Sequence, residues 1–152
     1  MATTTATFSS RSQSTAAQSL SVSSGAVVLF ARLLFVLIFL MSGPMHFSGQ
    51  TIAFAASQGV PLAPIAVPLS GALAIAGGLS ILLGYRAKIG AWLLILFLAA
   101  VTPLMHAFWA VSEPMMHQMQ FVMFMKNVSM LGGALLITQL GSGPWSLDAR
   151  RK

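Results

Sequence analysis

The chain contains no cysteine, and its 152 residues include only two acids, Glu113 and Asp148. Without cysteine there is no disulfide, thiolate nucleophile, iron–sulfur cluster or cysteine-based zinc site. Any redox role therefore needs a bound cofactor. The two acids, expected on opposite sides of a membrane, cannot form a carboxylate pair, and neither a Ser/His/Asp triad nor a phosphate loop is recognisable. Charge of either sign is scarce, at 7% of residues. A soluble domain of this size needs far more to cover its surface. What fills the space is apolar: 57% of the chain, with a mean hydropathy of +0.85. Eight bases give a net charge of +6, but no basic patch is interleaved with aromatics on a polar face, so nucleic acid is not an expected partner.

Residues 1–24 are rich in Ser, Thr, Ala and Gln and hold one charge, Arg11. Such a stretch buries too little surface to fold alone and reads as disordered. The apolar run after it is too long for a signal-peptide core. Four apolar segments follow, at about 25–43, 62–84, 89–111 and 120–140. Each approaches the roughly 20 residues a helix needs to cross about 30 Å of hydrocarbon. Backbone polar groups in lipid must be satisfied internally, which requires helices. The short alternating segments of a barrel are absent. The fold class is all-α: a transmembrane four-helix bundle, with a short interfacial helix at about 50–58 ended by Gly59 and Pro61. The spans and their connections form one membrane domain, 25–148, followed by a basic tail, 149–152.

Arg11, Arg86, Lys88, Arg150, Arg151 and Lys152 fall in the N-terminus, the second connection and the C-terminus. In a four-span protein these lie on one side, so both termini are expected in the cytoplasm, with the chain in a bacterial inner membrane. The second span carries small residues every four positions, Ala72, Ala76, Ser80 and Gly84, and also Ser70, Ala74 and Gly78. This spacing lets helices approach closely, within the bundle or, alternatively, in a homodimer. Pro68 and Pro103 should kink their helices.

Ionisable groups inside spans each need an explanation. Arg32 either snorkels or forms an ion pair with Asp148, the acid expected on its side. Lys126, in the outer third to half of the fourth span, needs a counter-charge, either Glu113 or a ligand. His46, His106, Trp109, Glu113, His117, Lys126 and Asn127 all belong to the outer half. His106, Trp109 and Glu113 are spaced i, i+3, i+7 and share a face if the helix persists. Each has a bland reading: an interfacial imidazole, an aromatic anchor, a snorkelling lysine. Together His46, His106, Trp109, Glu113, Lys126 and Asn127 make a candidate ligand site. Lys, His and Asn suit a quinone carbonyl or small oxyanion, with His as proton carrier. Haem is less favoured, because two histidines alone carry little specificity. Met115, Met116, Met119, Met123 and Met125 surround His117, a soft set suited to Cu(I), but Met more often fills gaps in cores. No metal site is expected.

The ordered pieces ARLLFVLIFLMSG, a Gly-Val-Pro before the second span, GGLSILLGYRAKIGAW, HAFW, FMKNVSMLGGALLI and GPWSLD run from Ala31 to Asp148. In this order they resemble the DoxX-like family of small four-helix membrane proteins. The resemblance implies a membrane subunit linked to thiosulfate:quinone oxidoreduction, and it carries His106, Trp109, Lys126 and Asn127 forward as site residues. Two departures stand out. His46 occupies the region where many members have Lys, and 69–76 lacks the acid many members place before the glycine pair. The expected role is a component of a redox or respiratory system that binds quinone, with catalysis left open. Its expected partners are the bilayer, other membrane or respiratory subunits, or a second copy. The rival is a non-enzymatic scaffold or docking subunit. A permease is less favoured, since four spans show no internal inverted repeat.

Overall fold

The computed structural model describes residues 24–151. The segment expected to be disordered, with Arg11, lies outside the described residues except for Ser24, as does Lys152.

Helix α1 covers 24–42 and tightens into a 3-10 turn, Gly43–Phe47, at Pro44. Proline has no N–H for the α ladder, so the last turn rewinds. Helix α2, Gly49–Ser57, starts at Ser48, whose hydroxyl accepts from the Thr51 amide at 3.2 Å. It is the expected interfacial helix. Gly59, at φ +83°, turns the chain into α3, Ala63–Leu83. Gly84, at φ +62°, ends α3, and α4 follows over Ala87–Met105. A 3-10 turn, Phe108–Ala110, leads to α5, Pro114–Leu140. Four stretches are long and apolar enough to cross a membrane: Ser24–Phe47, Ala63–Leu83, Ala87–Ala110 and Pro114–Leu140. Among the described residues there is no strand.

Two boundaries differ from expectation. The third span leaves regular helix at Met105, not 111, because Pro103 withholds a ladder N–H and His106 turns out of helical geometry at φ −128°. The fourth begins at Pro114, six residues before 120. Pro at the first helical position and Glu113 as N-cap are an ordinary start, and the polar residues His117, Gln118 and Gln120 conceal it from a hydropathy reading.

The core joins Val36 and Phe39 of α1, Ala74 and Ile81 of α3, and Ala91, Leu94, Phe97 and Leu98 of α4. Phe39 meets Phe97 edge to face at 6.0 Å. Apolar contact drives little in lipid, so close packing must hold these helices together. A Cβ on Gly77 would come within 2.8 Å of the Gly90 carbonyl, and one on Gly78 within 2.9 Å of Leu40. The buried face of α3 is thus Gly71, Ala74, Gly77, Gly78 and Ile81. Of the expected small-residue rows, Ala74 and Gly78 lie on it, whereas Ala72 and Ala76 are exposed. Helix α5 is the least buried of α3–α5, contributing Asn127, Ala134 and Thr138.

Candidate ligand sites at the loop end

The bundle has two unlike ends. At the tail end the α3–α4 turn, the start of α1 and the C-terminal tail meet. At the loop end lie α2 and the 106–113 connection.

At the tail end, 141–151 folds back over the bundle. The amides of Leu147 and Asp148 donate to the carbonyls of Leu83 (3.1 Å) and Gly84 (2.8 Å). In return the Asp148 carboxylate accepts from the amides of Arg86 (2.9 Å) and Ala87 (3.2 Å), capping α4. The Arg86 amide, with Ala87, Ser142 and the charge of Arg151 assisting, holds the Asp148 carboxyl below the usual carboxylate range against a smaller opposing effect of burial. Arg32 is buried and donates to the Trp145 carbonyl at 2.6 Å. The expected Arg32–Asp148 ion pair is therefore replaced by two separate attachments to one tail. The tail presents carbonyls to the guanidinium and turns its carboxylate to the helix N-terminus, where amides and the helix dipole favour it. Ser142 and Ser146 brace this loop from within, their hydroxyls 3.0 Å apart. A capping signature was legible in Ser146–Asp148 only with the fold in hand.

At the loop end the expected single cluster is divided. His46 and His106 line one cavity of about 280 Å³ between α2, α3 and α4, walled by Ala55, Val67, Val101 and Leu104. The His46 Nδ1 lies 2.8 Å from Ser70 Oγ, and the Ser70 hydroxyl already donates to the Val67 carbonyl at 2.7 Å. The shared proton must then come from His46. His106 Nδ1 likewise lies 2.8 Å from Gln120 Oε1, an acceptor. In the neutral form of either ring this leaves Nε2 an acceptor, and it has no hydrogen bond to the described residues. Ser70 and Gln120, the residues that fix both rings, were not among the sequence candidates. Only their pairing across helices reveals them.

Trp109 and Asn127 line a second cavity of about 240 Å³ between α4 and α5, with Thr102, Pro103 and Phe124. Around it Phe108 stacks edge to face with Trp109, His117, Phe121 and Phe124, at 5.1–5.6 Å. The one-face reading of His106, Trp109 and Glu113 fails because the helix does not persist. Glu113 instead caps α5, accepting from the amides of Met115 (3.0 Å) and Met116 (2.6 Å). Its oxygens are thereby committed, and it does not neutralise Lys126. Lys126 is exposed on α5, its Nζ 3.4 Å from Met123 Sδ, while the next residue, Asn127, is buried. Successive helix positions diverge by about 100°, so the two do not converge on one ligand atom. Among the described residues no group of three or more His, Cys, Asp or Glu could hold a metal ion.

The architecture defines a small polytopic helical membrane protein with a tail folded over one end, beside an open cleft of about 760 Å³ lined by Arg86, Lys88, Ser142 and Asp148, and two smaller cavities toward the other. Comparison of sequences is more specific: the chain belongs to the SURF4 family, whose model matches residues 65–152. It is similar to two Escherichia coli (strain K12) proteins. Inner membrane protein YphA is 31% identical over 127 residues, covering 82% of this chain and 89% of that protein. Inner membrane protein YqjF is 32% identical over 123 residues, covering 80% and 88%. No solved structure matches. The DoxX-like resemblance is thereby corrected. Most of the motifs quoted for it, from GGLSILLGYRAKIGAW to GPWSLD, lie inside the SURF4 match. The comparisons give no support to the oxidoreductase expectation drawn from that resemblance. With four spanning helices and these relatives, the chain is an integral inner-membrane protein.

Proposed function

We propose that this protein binds a small membrane-soluble molecule in the cavity of His46 and His106, and that a quinol head, the reduced form of a quinone, within a redox system of the inner membrane, is the best fit. The observation that carries this is the pair of imidazoles whose Nδ1 atoms are fixed by Ser70 and Gln120 and whose Nε2 atoms remain free at a cavity that, Thr51 and Ser70 apart, is otherwise apolar. Such a site favours a flat apolar body bearing hydroxyls that donate to the two nitrogens. The basic residues at the tail end support a topology with both termini in the cytoplasm and this cavity in the outer half. The test is mass spectrometry of molecules retained by protein purified in mild detergent, beside His46→Ala and His106→Ala. Retention near one per chain, lost in both variants while the bundle stays folded, is the expected result. Retention indifferent to both histidines removes the proposal.

A second reading, a scaffold or docking subunit, draws on Lys126. It is a cation on the exposed face of α5, where the bundle offers it nothing better than a thioether. That reading predicts partner recovery that depends on Lys126 and not on the histidines.

A further inference from the structure

The second cavity has the opposite polarity. Asn127 is only 5% exposed and Thr102 only 6%, yet neither side chain has a hydrogen-bond partner among the described residues. Both line the cavity between α4 and α5. Buried amides and hydroxyls are nearly always paired, more so at membrane depth, where water does not compete. Pro103 adds to the imbalance: it has no N–H to offer the carbonyl of Ala99, which lines the same space. The rest of the wall is apolar or aromatic, from Leu98, Leu131, Trp109 and Phe124. Trp109 and Phe124 stand edge to face at 5.9 Å.

We infer that this cavity is a second ligand site, distinct from the histidine cavity, and that it takes a carbonyl group carried on an apolar body. The Asn127 amide and the Thr102 hydroxyl are donors able to converge on one carbonyl oxygen, and an aromatic wall beside them suits a ring or chain rather than bulk water. About 240 Å³ is room for a single ring-sized head and no more. The carbonyl can come from a dissolved quinone-type ring or from the ester of a glycerolipid. The chemistry at Asn127 is the same for both.

The experiment uses the full chain with Trp92→Phe and Trp145→Phe, so that fluorescence reports Trp109 alone. One arm titrates a decyl-substituted benzoquinone. The other reconstitutes the protein in nanodiscs of phosphatidylglycerol with 13C-labelled ester carbonyls and records their infrared band. Saturable quenching weakened at least tenfold by Asn127→Leu, and severalfold by Thr102→Val but not Thr102→Ser, supports the site with a quinone-type carbonyl. An ester band shifted in an Asn127-dependent way supports it with a lipid carbonyl. Neither signal, or signals that ignore Asn127, overturns it. His46→Ala is the control. Quenching that follows His46 and not Asn127 overturns this site while leaving the histidine cavity standing, and the reverse outcome separates them the other way. Folding supplies a further arm. Without ligand, Asn127→Leu should unfold at the same or a higher temperature than the parent, since it removes an unpaired buried amide. A clear drop would make Asn127 a structural residue and sink the inference.

Discussion

The two ends of the bundle differ in how fully they pair their polar groups. At the tail end most polar groups are spent on structure: Asp148 caps α4, Arg32 holds a tail carbonyl through Nη2 while its buried Nε and Nη1 stay unpaired among the described residues, and Ser142 and Ser146 brace the loop. At the loop end Glu113 is used in the same way, but the two imidazole Nε2 atoms, the Asn127 amide and the Lys126 ammonium are left without a strong partner among the described residues. A chain with so little charge does not leave polar groups open in a membrane by default, because each one weakens the fold. The difference separates an end whose polar groups mostly tie the tail to the helices from one whose polar groups mostly line two cavities or an exposed helix face.

That contrast breaks most readily at the tail end. A side chain at Gly84 faces two obstacles, a φ of +62° and a Cβ position already occupied by Arg32 Nη1 and Ser146 Cβ. Gly84→Val should destabilise the bundle by about 3–5 kcal/mol, the sum of backbone strain and overpacking, as read by thermal unfolding in detergent. Asp148→Asn should cost less, about 1–2 kcal/mol, for a weakened helix cap. Its pH dependence has a definite sign. The Asp148 pKa is depressed in the folded protein, so its contribution is complete above the unfolded value of about 3.8 and lost as pH falls through the lower folded value. The gap between wild type and Asp148→Asn should therefore be widest near neutrality and close in acid below pH 4. A gap that persists there would mean that the carboxylate's charge is not what anchors the tail.

Much of this architecture is legible in the sequence, and the failures have physical causes. The spans are visible because hydrocarbon demands long apolar runs, and the interfacial helix because Gly59 and Pro61 punctuate it. Arg32 and Asp148 are visible as residues that need partners. Their partners are not, because backbone carbonyls and amides leave no mark in a sequence. The ends of regular helix at the α4–α5 connection elude a hydropathy reading for a related reason. Hydropathy sees composition, while Pro103, Glu113 and Pro114 act through single N–H groups. The candidate site suffered most. Topology gathers His46, His106, Trp109, Lys126 and Asn127 at one end, but helix phase then sends them to two cavities and an exposed face.

The comparison sharpens at Ser70. The variant Ser70→Ala removes the oxygen that orients His46 and, with it, the Ser70 hydroxyl bond to Val67. A hydroxyl bonded to its own helix backbone contributes little, so stability should fall by no more than about 1 kcal/mol. Ligand retention in the histidine cavity should fall much further, because an imidazole free to rotate no longer presents Nε2. Proportionate losses of both would mean that Ser70 merely packs.

The smallest effect on the fold should come from the most conspicuous residue. Lys126 is exposed and has no charged partner among the described residues, so Lys126→Met should change bundle stability by no more than about 0.5 kcal/mol. Insertion should become easier, since a lysine at the centre of a spanning helix costs about 2.5–3.5 kcal/mol and less toward its ends. A charge that burdens insertion and gives the bundle nothing back is answered either by the membrane surface or by a group from outside the bundle. Neither acidic side chain is to spare, because Glu113 and Asp148 are both bonded to helix amides. The informative measurement is thus a paired one, insertion yield and crosslinked partner recovery for Lys126→Met. Higher yield with recovery lost would place an anionic group of another molecule against α5. Higher yield with recovery intact would leave Lys126 as a lysine that reaches the membrane surface unaided, and the open character of the loop end would then rest on the two cavities alone.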